Sequence, residues 1–147
     1  MVNNRHIVCP SCAATNRVPA ERIASAARCG NCKQPLFRQD PVDVDQSALE
    51  RQIARNSIPV LVDICAPWCG PCRTMAPAFK QAAAALEPDM RLLKLNSQDE
   101  PEIAARLGIQ GIPTMLLFAD GREIARVSGA MNASAIVAWA RQNAARG

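Results

Sequence analysis

The sequence has few aromatic side chains: among its 147 residues there are no tyrosines, three phenylalanines and two tryptophans. Because single-stranded nucleic acids are bound by stacking their bases on aromatic rings, this scarcity argues against a nucleic-acid surface. The sequence also has no apolar run near the roughly 20 residues that a helix needs to cross a bilayer. The first ten residues lack the apolar core of a signal peptide, so we expect a cytoplasmic protein without a membrane partner.

Positive charge and cysteine are present but unevenly distributed. The formal net charge is +4, and all of this excess lies in residues 1–40, which hold six basic and two acidic side chains. Four of the seven cysteines lie in the same segment, and the other three lie within residues 65–72. Six basic residues without aromatic neighbours are weak support for nucleic-acid binding. The uneven distribution predicts two domains, at residues 1–38 and 39–147.

The first four cysteines form two Cys-x-x-Cys pairs, Cys9/Cys12 and Cys29/Cys32, with 16 residues between the pairs. This spacing is typical of zinc sites in which each pair forms a turn and four thiolates complete a closed tetrahedral shell. We therefore expect one structural zinc ion per chain and no organic cofactor. Two alternatives stay open: two disulfides, which a reducing cytoplasm disfavours, and a site in which His6 replaces one cysteine. The role of this segment is also open, between partner docking and a response to oxidants through metal release.

Downstream of this segment the sequence alternates between strand and helix patterns, whereas residues 7–37 show no sustained period of either kind. A capping-box pattern from Ser47 to Glu50 predicts the start of the first helix, and Asp120-Gly121 predicts a hairpin turn. The predicted order, β-α-β-α-β-α-β-β-α, indicates an α/β domain with a mixed central sheet flanked by helices. The predicted strands are 42–44, 59–65, 91–95, 114–118 and 123–127, and the predicted helices are 47–56, 69–86, 100–107 and 132–142.

The most informative motif is Trp68-Cys69-Gly70-Pro71-Cys72, at the junction of a predicted buried strand and the following helix. Two cysteines in the first helical turn can close a disulfide with little movement, and the helix N-terminus favours a thiolate on the first of them. Cys69 is therefore predicted to attack a substrate disulfide, and Cys72 to resolve the mixed disulfide. The alternatives are a structural disulfide or half of a metal site, but no cysteine or histidine follows Cys72 to complete such a site.

Asp63 interrupts the apolar strand that leads to this motif, where an unpaired carboxylate is costly. It is predicted to be a buried acid with a raised pKa that accepts the proton of Cys72, directly or through water. The alternative is a carboxylate that faces solvent or pairs with Lys94 in the next apolar strand. Pro113 begins a later strand, and is either an ordinary strand-start proline or a cis-proline that brings backbone beside the dithiol.

These motifs resemble the thioredoxin family from about residue 40 to the end of the chain. The resemblance rests on Val62-Asp63, Ala66 to Cys72, Lys94-Leu95-Asn96, Gly111 to Thr114, Phe118, Gly121 and Gly129, in that order. A domain of this kind after a four-cysteine segment is similar to the bacterial thioredoxin-2 type, and that match covers the whole chain. The resemblance implies a five-stranded sheet with four helices, and the reduction of protein disulfides with electrons from thioredoxin reductase.

The resemblance also implies roles by position. Cys69 corresponds to the nucleophile, Cys72 to the resolving thiol and Asp63 to the buried acid. From its place in the next strand, we also expect Lys94 to belong to the catalytic group as the charged partner of Asp63. Pro113 corresponds to the cis-proline beside the dithiol. The implied substrate-binding rim comprises Trp68, Gly70, Pro71, Ile112, Pro113 and Gly129.

One position departs from the family's pattern. Many thioredoxins have Phe-Trp after the buried aspartate, whereas this chain has Ile64-Cys65. We expect Cys65 to be a small buried apolar residue. The alternative is a third redox thiol that traps an oxidised Cys69 or Cys72 as a regulatory disulfide.

The motifs thus predict a monomeric cytoplasmic enzyme that reduces disulfides, and the resemblance implies that it acts on client proteins and is re-reduced by thioredoxin reductase. An oxidase or isomerase of the same fold is disfavoured by Gly70-Pro71 between the cysteines and by the lack of a signal peptide. The rival hypothesis from another class is a zinc-dependent, redox-controlled binding module or holdase in which the dithiol is only a sensor.

Overall fold

The computed structural model describes residues 4–19 and 26–145, and it contains two β-sheets. The smaller sheet is an antiparallel pair in the four-cysteine segment, formed by β1 (Asn4–Val8) and β2 (Thr15–Pro19). Periodicity did not predict these strands, because Ile7 and Val8 are adjacent and both fully buried. Two buried neighbours break the alternation by which a half-buried strand is identified.

The remaining elements follow the predicted order. The strands are β3 (Val42–Val44), β4 (Val60–Cys65), β5 (Arg91–Asn96), β6 (Thr114–Ala119) and β7 (Arg122–Ser128). The helices are α1 (Gln46–Arg55), α2 (Gly70–Leu86), α3 (Pro101–Arg106) and α4 (Ala133–Ala144). No helix in these described ranges is both long and apolar enough to cross a membrane.

The five strands from β3 to β7 form one sheet in the order β3-β5-β4-β6-β7. The first three strands in this order are parallel, whereas β6 runs antiparallel to β4, and β7 antiparallel to β6. Helices cover both faces of the sheet. This arrangement confirms the predicted mixed sheet flanked by helices, and it has the five strands and four helices that the resemblance implies.

The central strand β4 divides its side chains between the two faces of the sheet. Leu61, Asp63 and Cys65 share one face, because successive side chains of a strand point to opposite sides. Leu61 packs with Met75 and Phe79 of α2 in one apolar cluster. The intervening residues of β4 pack in a second cluster with α1 and α3. Asp63 and Cys65 therefore lie on the face that α2 covers.

The first helix of this domain is capped by a different residue from the one expected. Asp45 is the N-cap of α1, and its side-chain oxygen accepts the backbone N–H of Ala48 at 2.8 Å. The prediction that Ser47 caps the helix is therefore wrong. Both residue types cap helices well, and the carboxylate of Asp45 is additionally favoured by the helix dipole.

Buried polar contacts join the four-cysteine segment to the larger domain. Arg91 is fully buried, and its Nη2 donates to the backbone oxygen of Val8 at 2.8 Å. The guanidinium lies 4.7 Å from the ring centroid of Phe37, and its Nη1 lies 3.6 Å from Oε2 of the buried Glu87. Asn56 Oδ1 accepts the backbone N–H of Val8 at 2.8 Å. Side chains of the larger domain thus bind both backbone polar groups of Val8.

We expect Arg91→Met to lower the free energy of unfolding by about 3–5 kcal/mol, because the substitution leaves the buried Glu87 without its charged partner. Arg106→Met is a matched control, since Arg106 is exposed and its salt bridges within the described ranges are with exposed glutamates. For that control we expect a loss of about 1 kcal/mol or less. Urea denaturation of both variants measures the difference, and equal losses would contradict the stabilising role of the buried pair.

Candidate active site and metal centre

The dithiol lies where α2 begins. Cys69 is buried and is the N-cap residue of α2, and its Sγ accepts the backbone N–H of Cys72 at 3.3 Å. The same sulfur lies 3.9 Å from the backbone oxygen of Ile112. The positive end of the helix dipole favours an anion at this position, so the geometry suits a thiolate on Cys69. Pro71 fits the first turn because no helical acceptor is available there for its missing N–H.

Cys72 lies one turn into α2 and is also buried. Burial raises its pKa, and a hydrogen bond with Cys69 adds to this effect. Cys72 therefore stays a thiol at neutral pH unless a nearby base accepts its proton. The two cysteines thus differ in environment, the first at a helix N-terminus and the second in the core.

Asp63 lies in the middle of β4 and is 1% exposed. Burial raises its pKa to about 6, although a hydrogen bond from Cys65 and the positive charge of Lys94 act in the opposite direction. A carboxyl group that titrates near neutral pH suits acid–base chemistry. Its Oδ1 accepts a hydrogen bond from Cys65 Sγ at 3.0 Å, whereas Oδ2 is buried without a hydrogen-bond partner among the described residues.

Lys94 stands beside Asp63 in the register of β4 with β5. Its charge lowers the pKa of Asp63, but no salt bridge joins the two groups within the part of the chain that the structure describes. The alternative in which Asp63 is simply paired with Lys94 therefore does not match the geometry. An open pocket on this face is lined by Asp43, Cys65, Cys72, Arg73 and Lys94.

The residues of the predicted substrate-binding rim lie next to the dithiol. Trp68, the residue before Cys69, is 68% exposed. On the other side, the peptide bond between Ile112 and Pro113 is cis, which is the cis alternative considered for this proline. Gly129 has a φ of +103°, which favours glycine, and its N–H donates to the backbone oxygen of Pro113 at 2.9 Å. The structure thus brings the residues of the predicted rim together around the dithiol.

Four sulfur atoms converge in the N-terminal segment. The Sγ atoms of Cys9, Cys12, Cys29 and Cys32 all lie within 4.8 Å of one another. The Cys9–Cys32 and Cys12–Cys29 sulfur distances are both 3.6 Å. Zinc–sulfur bonds of about 2.3 Å place the sulfurs of a tetrahedral shell about 3.8 Å apart, so these four residues fit a zinc ion. His6 is exposed on β1 and is not part of this cluster.

Both cysteine pairs form turns that direct backbone N–H groups at the first sulfur of the pair. Ser11 and Cys12 donate to Cys9 Sγ at 3.3 and 3.4 Å, and Asn31 donates to Cys29 Sγ at 3.3 Å. Backbone hydrogen bonds, above all from Cys32, lower the pKa of Cys29 to about 6. Donors of this kind stabilise the thiolates that zinc requires as ligands.

Sequence patterns missed one group in the dithiol site. Cys65 was expected to be a small buried apolar residue, but it is half-buried and donates a hydrogen bond to Asp63. The expectation is wrong because Cys65 lies two positions after Asp63 and therefore on the same face of β4. The two-residue period of a strand is the signal that identifies this neighbour.

Comparisons with known proteins agree with this geometry. The family model described as "Thioredoxin" matches residues 40–142, and the model described as "Thioredoxin 2, N-terminal" matches residues 8–34. Thioredoxin C-3 of Corynebacterium nephridii is 38% identical over 136 residues, which cover 92% of this chain and 93% of that protein. A thioredoxin of Pyropia yezoensis is 39% identical over 93 residues, which cover 63% of this chain and 87% of that protein.

Solved structures of thioredoxins are similar to the chain over about three-quarters of its length. A mutant thioredoxin from Halobacterium salinarum NRC-1 has a TM-score of 0.66 at 28% identity, and the match covers 74% of this chain and 94% of that one. Chloroplastic thioredoxin z has a TM-score of 0.67 at 26% identity, with coverage of 74% and 96%. The chain belongs to the thioredoxin family of thiol–disulfide oxidoreductases.

Proposed function

We propose that the protein is a cytoplasmic protein-disulfide reductase that acts through Cys69 and Cys72 and is re-reduced by thioredoxin reductase. The observation that carries this proposal is the position of Cys69 Sγ, which accepts an N–H at the start of α2 and lies 3.9 Å from the backbone oxygen of Ile112. Trp68, whose ring is exposed, directly precedes Cys69 in the chain. A nucleophile, its resolving partner and an apolar docking rim thus occupy one site.

The first step is attack on the client disulfide. The extended backbone of the client lies on the rim formed by Trp68, Ile112, Pro113 and Gly129, and one client sulfur comes within reach of Cys69. The Cys69 thiolate forms a bond to this sulfur, and the client's own disulfide bond breaks. The second client sulfur leaves with the electron pair and becomes a thiol.

The second step releases the client. Cys72 loses its proton and attacks the Cys69 sulfur of the mixed disulfide, so that the Cys69–Cys72 disulfide forms and the client leaves fully reduced. Asp63 accepts the proton, which is possible because its carboxyl titrates near neutral pH. The charge of Lys94 favours the carboxylate form of Asp63 and so keeps it available as a base. Two electrons from the reductase restore the dithiol.

The four N-terminal cysteines hold one structural zinc ion in this proposal. When bound, the ion cross-links the two cysteine turns and leaves no coordination position for a substrate. The cluster belongs to an N-terminal domain of residues 1–38, and the dithiol to a domain of residues 39–147. The reaction requires no organic cofactor, and we propose that the protein works as a monomer on disulfide-containing client proteins.

The two active-site cysteines are expected to fail in different ways. Cys69→Ser reduces turnover to background in an insulin-reduction assay driven by NADPH and thioredoxin reductase, because the attacking sulfur is lost. Cys72→Ser also stops turnover, but it accumulates a mixed disulfide with the client, which a non-reducing gel detects. Turnover that persists in Cys69→Ser would contradict the proposal. A wild-type protein that binds clients without turnover would favour the binding-module hypothesis.

Metal analysis tests the zinc site independently. We expect one zinc ion per chain, and a strong chelator should release it together with four titratable thiols. Cys12→Ser should lose the ion, because three sulfurs leave the tetrahedral shell open. Cys69→Ser is the matched control and should keep a full equivalent of zinc. Zinc bound at the same stoichiometry by both variants would contradict the ligand assignment.

Asp63→Asn should slow turnover and stabilise the protein at pH 7. Burial raises the pKa of Asp63 from 3.8 to about 6, so the folded protein favours the protonated carboxyl. The stability that this protonated form contributes is fully present below pH 4 and is lost as the pH rises to 6. This loss amounts to about 3 kcal/mol, which the asparagine variant does not suffer. Urea denaturation at pH 4 and pH 7 checks the difference. Asp43→Asn, at an exposed neighbouring site, is the control, and an identical pH dependence in both variants would contradict the assignment.

A further inference from the structure

Cys65 lies beside the two groups between which a proton moves in the proposed mechanism. Its Sγ donates to Asp63 Oδ1 at 3.0 Å. Cys65 and Cys72 also line the same open pocket. Burial raises the pKa of Cys72, and the neighbouring Cys65 thiol acts in the opposite direction. No hydrogen bond joins Asp63 to Cys72 directly among the described residues. Cys65 is therefore the thiol that binds the acid and shares a pocket with the resolving cysteine.

The backbone holds Cys65 in this position. It is the last residue of β4 and pairs with Asn96 of β5. Its backbone oxygen accepts both the N–H and the hydroxyl of Ser97, at 2.8 and 3.1 Å. The end of the strand is thus anchored from the neighbouring strand, and strand geometry fixes its side chain on the face of Asp63.

From this geometry we propose that Cys65 relays the proton of Cys72 to Asp63 while the mixed disulfide is resolved. The S–H bond of Cys72 breaks and its proton binds Cys65, while the original proton of Cys65 moves to Asp63 Oδ1. The electron pair left on Cys72 forms the bond to Cys69, and the client sulfur leaves with the pair of the broken disulfide. Cys65 ends as the thiol that it was, and Asp63 later returns its proton to solvent. This step rests on the proposed function of the dithiol.

The environment of Cys65 suits this thiol to transferring a proton rather than to attacking a disulfide. Burial, together with the charge of Asp63, raises the pKa of Cys65 far above its usual range. A thiol that does not ionise is a poor nucleophile, but its sulfur can still accept one proton as it gives up another. The regulatory disulfide through Cys65 stays a separate prediction, which peptide mapping of peroxide-treated protein tests.

Several charged or titratable groups surround the relay. Lys94 of β5 and Asp43 of β3 line the same pocket, and so do Arg73 and Cys72 of α2. Because the pocket that they line opens to solvent, a water molecule is the competing carrier of the proton. The experiment must therefore separate transfer through sulfur from transfer through water.

Cys65→Ala and Cys65→Ser form a matched pair, because only serine retains a group that both donates and accepts a proton. Reduced, zinc-loaded protein is mixed with Ellman's reagent in a stopped-flow spectrometer. The first release of thionitrobenzoate reports attack by Cys69, and the second release reports resolution by Cys72. Cys69→Ser provides the background from the remaining thiols, and a missing first phase in the wild type would contradict the proposed function itself.

We expect the ratio of second-phase to first-phase rate at pH 7 to fall about 10- to 100-fold in Cys65→Ala, and most of it to return in Cys65→Ser. In the wild type the second-phase rate should fall below pH 6, where Asp63 is protonated, and this inflection should disappear in Cys65→Ala. Asp63→Asn should then add little further loss to Cys65→Ala. An unchanged ratio and pH profile in Cys65→Ala would overturn the relay and assign the proton to water. Equal losses in the alanine and serine variants would also overturn it.

Discussion

The position of β4 at the centre of the sheet constrains the rest of the redox site. Since both faces of this strand are covered, any polar side chain on it lies under a helix or beside a neighbouring strand. Asp63 and Cys65 fall on the face covered by α2, and the chain leaves β4 directly into the turn that places Cys69 at the N-terminus of that helix. One short stretch of chain therefore supplies the buried acid, the neutral thiol and the dithiol. This is because β4 places Asp63 and Cys65 on the same face and α2 begins shortly after the strand ends.

The same parallel strands separate the two cysteine sites. Arg91, which binds the four-cysteine segment, lies at the start of β5 and pairs with Val60 at the start of β4, whereas Cys65 pairs with Asn96 where both strands end. Five strand residues at about 3.3 Å each put roughly 17 Å between these two ends of the sheet. The buried contact of Arg91 with the four-cysteine segment and the turn that leads to the dithiol therefore lie at opposite ends of these strands.

Local patterns predicted the elements of the larger domain because each has a strong period or a clear end. They failed where the deciding partner is distant in sequence. The contact between Arg91 and Val8 joins residues 83 positions apart, and nothing in either local pattern indicates it. The cluster of four N-terminal cysteines and the dithiol motif could be predicted because each Cys-x-x-Cys pair has a local spacing. Cys65 lies between these cases: its strand parity relative to Asp63 is visible in the sequence, but its hydrogen bond to that carboxyl depends on the fold.

A thiol beside Asp63 affects the pKa of this carboxyl less than a stronger hydrogen-bond donor would. A buried carboxylate needs some compensation, because an unpaired charge in an apolar site is costly. A charge-assisted partner would lower the pKa of Asp63 so far that it could not hold a proton at neutral pH. Burial raises the pKa of Asp63, and the hydrogen bond from a thiol, which is a weak donor, together with the charge of Lys94 offsets this only partly, leaving the pKa at about 6. In the proposed mechanism the carboxyl can then both accept the proton of Cys72 and release it again, as a repeated catalytic cycle requires.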